Sequence, residues 1–356
     1  MKSTVLARAA ISAVVLAALL HVGARRTGPL PPLGAFLDPA NGVWAVAAVA
    51  ELPEHEAIAV PGLGGSVEVV FDDRGVPHIF AATSEDAARA LGYVVARDRL
   101  FQMEMRWRTV AGRMSELLGD GATGFDQRMR GLALAWSAER DFAEMDPASQ
   151  VAREIAAYAG GVNAWIEGLG RRDIPLEYRL LGARPSRWEP VYSLYLLKLM
   201  GWDLTYGVQT DLRRLRLQAR VGKEAALALS PVNNLIQQPI QPNGERGPRF
   251  DFAPVPPPGD PDPVAGELAR DLGLALGPLA DDPVPETESS YLASNNWAVS
   301  PERSAAGYAL LAGDPHLELT LPSIWYEAHL VVPGVLDVYG VTIPSVPVIL
   351  IGFNRD

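Results

Sequence analysis

Cysteine is absent from the 356 residues. That absence removes thiol nucleophiles, thiolate zinc sites and disulfides together. It does not locate the protein, because exported bacterial proteins also lack cysteine. Positive charge is scarce as well: 31 Lys and Arg face 42 Asp and Glu, for a net charge of -11. A chain of that sign is not made to neutralise phosphates, and no nucleic-acid partner is expected. Three catalytic or cofactor signatures are missing. There is no Gly-x-Ser-x-Gly elbow. His55-Glu56 lacks the second histidine of a zinc helix, and Gly62-Leu63-Gly64-Gly65 is a turn too poor for a dinucleotide loop.

What is present is globular. Hydrophobic residues make up 48% and charged residues 21%, an ordinary composition for a folded protein. The length suggests about two to three domains. At the N-terminus, Lys2 and Arg8 precede an apolar run from Ala9 to Leu20. A short basic region before such a run fits a secretory signal, and it is short for a span of about 20 apolar residues. Arg25 and Arg26 follow it, and positive charge there disfavours translocation of that flank. A cleaved signal and an uncleaved anchor both fit. Either gives an exported protein, periplasmic or anchored facing the periplasm. Residues 27–65 are a linker rich in Pro, Gly and Ala toward its start.

The folded part is expected from Ser66. Ser66 to Phe71 and Val76 to Ala81 read as strands around the turn Asp72-Asp73-Arg74-Gly75. Thr83 and Ser84 offer cap oxygens for a helix, with Asp86 in its first turn. Apolar spacing predicts helical stretches over Ala87 to Met105 and Arg106 to Leu118, stopped by Gly119. Further helices are predicted at Ser149 to Trp165, Val191 to Leu204 and Thr210 to Leu229. Residues 66–232 thus form a mostly helical region. Residues 233–293 are broken by Pro254 to Pro258, Asp260-Pro261-Asp262-Pro263 and Pro283 to Pro285. A domain linker and a spacer peptide lost on maturation both fit this stretch, with a weak helix at Val264 to Leu274. From 294 to 356 the sequence turns strand-like, at Trp297 to Val299, Tyr308 to Ala312, Ile324 to Val332, Leu336 to Val341 and Val346 to Phe353. Helices first and strands second suggest α+β, with sheets supplied mainly by the second part.

Six blocks occur in a specific order. They are Asp72-Asp73-Arg74-Gly75-Val76-Pro77-His78-Ile79, the segment from Leu91 to Glu104, Gly112-Arg113-Met114-Ser115-Glu116-Leu117, the segment from Tyr158 to Trp165, Ser186-Arg187-Trp188-Glu189-Pro190, and Ser294-Asn295-Asn296-Trp297. In this order they resemble the penicillin acylase family of N-terminal-nucleophile amidohydrolases, which includes homoserine lactone and cephalosporin acylases. The similarity runs from about residue 66 to the end, apart from the spacer. Most blocks read as scaffold: Arg97-Asp98-Arg99 as a structural ion pair and His78 as a satisfied structural histidine. The resemblance implies an αββα sandwich, incomplete in this chain, behind a largely helical first-subunit region.

It also implies a mechanism. Ser294 would become a chain terminus by self-cleavage of the bond from Ala293, leaving a heterodimer of two subunits from one precursor. Serine is a poor nucleophile without a base. A free α-amine, with a pKa of about 7.7–8.0, is partly neutral near pH 7 and can be that base. The expected substrate is a small-molecule acyl amide: a penicillin, an acyl homoserine lactone or an acylated peptide. His316, 22 residues after Ser294, matches a position beside the nucleophile, and histidine there is frequent in homoserine lactone and cephalosporin acylases. Leu317, Leu350 and Ile351 match positions that line the acyl pocket. Ordinary strand residues would read the same way. No cofactor is needed for the chemistry. A structural calcium bridges the subunits in many relatives, and Asp211 occupies the place of a glutamate ligand. In relatives the oxyanion donors come from sequence beyond residue 356. Such donors are worth roughly 3–4 kcal/mol each, so these 356 residues alone are expected to be inactive. A non-catalytic binding protein on the same scaffold is the alternative.

Overall fold

A computed structural model describes residues 2–25, 32–39, 42–48, 57, 59–170, 173–204, 207–231, 255–276, 294–317 and 319–354. The helices are α1 (Lys2–Gly23), α2 (Leu33–Leu37), α3 (Val43–Ala47), α4 (Ser84–Ala111), α5 (Ser115–Leu118), α6 (Thr123–Gly131), α7 (Leu134–Glu144), α8 (Gln150–Gly168), α9 (Leu176–Leu181), α10 (Tyr192–Asp203), α11 (Gly207–Leu229) and α12 (Pro263–Leu276). The strands are β1 (Glu68–Phe71), β2 (Pro77–Phe80), β3 (Ser294–Val299), β4 (Leu310–Pro315), β5 (Tyr326–Val332), β6 (Leu336–Thr342) and β7 (Ile351–Asn354). The mixture of helices and sheets is the expected α+β class. Contacts divide the chain into two compact units, one of Met1–Leu199 with Glu318–Asp356 and one of Met200–Leu317.

The first unit is organised by α4. Its N-terminus is capped as the sequence predicts: Thr83 Oγ1 accepts the Asp86 N–H at 3.1 Å, and Glu85 and Asp86 occupy the first turn. Its end lies earlier than expected. Gly112, at φ 59°, adopts the left-handed conformation that closes a helix, and its N–H bonds back to Thr109 and Arg108. The predicted stop at Gly119 instead ends the short α5. Between them, Asp126 binds the turn, accepting from Met114 N–H at 2.7 Å, Ser115 N–H at 2.8 Å and the Ser115 hydroxyl at 2.5 Å. Burial would raise the Asp126 carboxyl, but these donors outweigh it and hold it below the usual carboxylate range. The helices α6, α7 and α9 were not legible in the apolar spacing.

The α4–α8 crossing explains two of the sequence blocks. A β-carbon at Gly92 would collide with the Tyr158 carbonyl, and one at Gly161 with the Arg89 carbonyl. Glycine at both positions lets the two backbones touch. Leu91, Val95, Tyr158 and Val162 are essentially inaccessible in the resulting core. Asn163 extends it, since its side-chain amide pairs with the backbone of Trp188, accepting at 2.8 Å and donating at 2.9 Å. Deeper still, Glu104 is buried and accepts from Arg108 Nε at 2.9 Å, the Tyr178 hydroxyl at 2.5 Å, the Ser186 hydroxyl at 2.8 Å and the Ser186 N–H at 3.1 Å. Arg108 reaches on to Glu116 at 2.5 Å.

One face of a five-stranded sheet, in the order β1-β2-β5-β6-β7, packs on these helices. All pairings are antiparallel except β2–β5, which is parallel, with His78 opposite His329. The β1–β2 hairpin falls where the sequence puts it. Its joining the later strands across some 250 residues does not follow from local pattern. The alternation of β5 is complete, with Tyr326, Ala328, Leu330 and Val332 buried. His78 is structurally satisfied, its Nδ1 lying 3.0 Å from His329 Nδ1. His329 in turn meets Asp337 at 2.8 Å. Arg97 pairs with Asp98 at 3.0 Å and covers the Phe71 ring at 4.5 Å. Asp98 accepts from the Tyr326 hydroxyl at 2.7 Å. The ion-pair reading of that motif therefore holds, with a tie to β5 added.

In the second unit α11 packs on α12, with Leu212 and Ala269 buried between them. Gly222, at φ 75°, breaks α11, which the sequence had read as continuous from Thr210 to Leu229. The hairpin β3–β4 belongs to the same unit. No described helix is long and apolar enough to cross a membrane.

Two substitutions test this scaffold. Gly161→Ala should lower unfolding stability by about 1–3 kcal/mol, because the new carbon forces the helices apart. Glu104→Ala should cost about 3–5 kcal/mol, because it removes the buried carboxylate that accepts from Arg108, Tyr178 and Ser186 and leaves the Arg108 charge to Glu116 alone. Denaturation midpoints of the full-length protein measure both. A Glu104→Ala protein as stable as the parent would show that the network is not structural.

Candidate functional site

Ser294 is the first residue of β3. The hairpin is in strict antiparallel register, with Ser294 opposite Pro315, Asn295 opposite Asp314 and Asn296 opposite Gly313. His316 follows directly on the residue that faces Ser294. The structure therefore brings the two predicted site residues to one end of one hairpin. Ala293, the residue before the predicted cut, lies outside the described residues.

His316 is oriented by a residue that the sequence reading did not single out. Its Nε2 lies 2.8 Å from Asp314 Oδ2. In an extended strand residues i and i+2 share a face, so an aspartate two positions before the histidine was a usable signal. A carboxylate at one imidazole nitrogen selects the tautomer and leaves Nδ1 as the nitrogen open to a partner. Both side chains are reachable from solvent. The N–H of Leu317 turns back to the Pro315 carbonyl at 3.1 Å, which carries the chain sharply away after His316. Leu317 is half-buried.

The remaining candidates are on other elements. Leu350 and Ile351 belong to the first unit, at the start of β7, and are exposed. Asp211 is on α11, is largely exposed and is paired with Arg214 Nη1 at 3.1 Å. Calcium takes six to eight oxygens, and among the described residues no group of three or more His, Asp or Glu side chains could hold a metal ion.

Residues 66–356 match the Penicillin amidase family model. Penicillin acylase 2 proenzyme of Pseudomonas sp. (strain SE83) is 34% identical over 300 residues, covering 83% of this chain and 36% of that protein. Acyl-homoserine lactone acylase QuiP of Pseudomonas aeruginosa is 33% identical over 297 residues, covering 83% of this chain and 33% of the relative. The chain thus spans about a third of the length of these relatives. Among solved structures, a thermostable penicillin G acylase from Alcaligenes faecalis aligns with 30% identity and a TM-score of 0.42, covering 51% of this chain and 98% of that one. With the family model spanning the sheet, the helical core and the Ser294 hairpin alike, the chain belongs to the penicillin amidase family.

Proposed function

We propose that the protein containing this chain hydrolyses the amide bond of N-acylated small molecules, with Ser294 as nucleophile after the chain is cut before it. Family membership supports the reaction class. The observation that carries the site assignment is local: Ser294 opens β3, and the hairpin register sets the His316–Asp314 pair at the same end. The word proenzyme in the name of one relative agrees with a processed, two-subunit product.

The proposed maturation begins with the Ser294 hydroxyl attacking the Ala293 carbonyl carbon. The C–N bond breaks as the acyl group moves to oxygen, giving an ester and freeing the Ser294 amine. Water then hydrolyses the ester and leaves an Ala293 carboxylate. In the mature enzyme the α-amine takes the hydroxyl proton as the oxygen attacks the substrate amide. The proton passes to the leaving amine, an acyl-serine ester remains, and water assisted by the same α-amine releases the acid. His316, steered by Asp314, positions the terminal serine and is not the base. A histidine at this place favours acyl homoserine lactones or cephalosporin-type amides over penicillin G. Leu317, Leu350 and Ile351 match positions that line the acyl pocket in relatives, and apolar residues at such positions suit an aromatic or fatty acyl group.

The apolar side chains of α1 from Ile11 to Val22 face solvent. That supports an export leader, and with it a periplasmic or membrane-anchored enzyme.

N-terminal sequencing and intact mass of the full-length product, beside Ser294→Ala, test the nucleophile. We expect a mature chain that starts at Ser294. In the variant we expect no cut and a loss of turnover on the order of 10⁴-fold or more. A folded wild-type chain that stays whole would instead favour a non-catalytic binding protein on this scaffold. His316→Ala should lower kcat by about 100-fold, as a misplaced nucleophile does, and Asp314→Asn should lower the same parameter less. A change confined to KM in both would contradict the positioning role. A panel of N-acyl homoserine lactones, cephalosporin amides and penicillin G separates the substrate classes.

A further inference from the structure

The run Gly259-Asp260-Pro261-Asp262-Pro263 reads in the sequence as a breaker. In the structure it starts α12. Asp262 is the cap: its Oδ1 accepts the Ala265 N–H at 3.0 Å, and its carbonyl accepts the Gly266 N–H at 3.1 Å. Pro263, the first helical residue, has no N–H to leave unpaired. The other oxygen of the cap reaches α11, where Asp262 Oδ2 accepts from Gln218 Nε2 at 2.8 Å. That bond, followed by the Ala265 N–H, holds the Asp262 carboxyl below the usual carboxylate range.

Helix α11 is shaped to receive this segment. Its break at Gly222 turns the chain back on itself, since Arg214 Nε donates to the Ser230 carbonyl at 3.2 Å. A straight helix would hold those two residues about 24 Å apart. A break in a helix frees backbone carbonyls, and the Gly259 N–H takes the one on Val221 at 2.8 Å. A β-carbon at Gly222 would lie 3.1 Å from the Asp260 carbonyl oxygen. Glycine there serves both the φ of 75° and the close approach of residues 259–260. Leu212 on α11 and Ala265 and Ala269 on α12 are buried. Removing α12 would bare Leu212 and leave the Val221 carbonyl without its donor.

We infer that residues 259–276 belong to the mature first subunit: Gly259 and Asp262 lock α12 onto α11, and any peptide lost on maturation lies beyond Leu276. The inference rests on the processing proposed above and narrows what that processing removes. The bond before Ser294 lies outside all of these contacts, so cutting it undoes none of them. A helix with its own cap, its own partner side chain and a matched glycine on the receiving helix is built to stay.

The test is the intact mass of the first subunit of the full-length, processed protein, with trypsin cutting after Arg270 as a second reading. We expect a first subunit that extends at least through Leu276. Arg270 lies in the middle of α12, and trypsin needs that helix open, so the cutting rate follows the fraction of α12 that is undocked. Asp262→Ala loses the cap and the Gln218 bond together and should raise the rate by about 5- to 30-fold. Asp262→Asn keeps the cap and loses the Gln218 bond, so it should match Gln218→Ala, each raising the rate by about two- to tenfold. A first subunit that ends before Leu276 overturns the inference. So does a cutting rate that Asp262→Ala leaves unchanged. A full-length chain that is never cut before Ser294 marks the failure of the processing itself, and the place of α12 in a mature subunit falls with it.

Discussion

The carboxylate of Glu104 has no access to solvent, so every interaction it loses on burial must be returned by the protein. Four donors do this, from Arg108, Tyr178 and Ser186. They come from α4, from α9 and from the extended segment after α9. A buried charge left half-satisfied is strongly destabilising, so these segments have to meet in one arrangement. Arg108 carries the constraint onward to Glu116 and to the Arg113 carbonyl, which ties in the turn after α4. The Phe101–Tyr178 ring pair and the cover of Trp107 by Arg108 then pack around a centre that is already polar and specific.

From that centre the rest of the first unit can be followed outward. Helix α4 is fixed at its far end by Glu104 and along its length by backbone contact with α8 at Gly92 and Gly161. The sheet lies on this helix pair, and its middle is the parallel joint between β2 and β5. Under the proposed cleavage the two sides of that joint belong to different polypeptides. The bonds His78–His329, Arg74–Glu327, Tyr326–Asp98 and Ser345–Tyr158 then become ties between subunits. A cut before Ser294 leaves them all in place, which is how a chain can be cleaved without coming apart.

The candidate site follows a different logic. The Ser294 hairpin keeps its register through backbone pairing, while most of its side chains, including Trp297 and Leu311, are exposed. Its geometry is set by strand chemistry and not by a core. Strand pattern alone does not mark the serine or the histidine; both stand out because the blocks around them resemble those of the acylase family. Asp314, two residues before His316, belongs to no quoted block, and its pairing with the imidazole shows only in the folded hairpin.

Local physics settled a good deal of this protein in advance. The cap at Thr83, the Asp72–Gly75 turn, the alternation of β5 and the helical span of α8 depend on neighbours within a few residues, and each stands close to where the amino-acid order places it. The end of α4 did not follow, because two glycines competed for the role and the packing of Gly112 against Asp126 and Arg130 chose between them. The short helices α6, α7 and α9 had too little apolar periodicity to announce themselves. The parallel pairing of β2 with β5, the buried donors around Glu104 and the Tyr158–Ser345 bond join residues separated by tens to hundreds of positions. No local pattern encodes such contacts, because the free energy that selects them is released only when distant segments exclude water together.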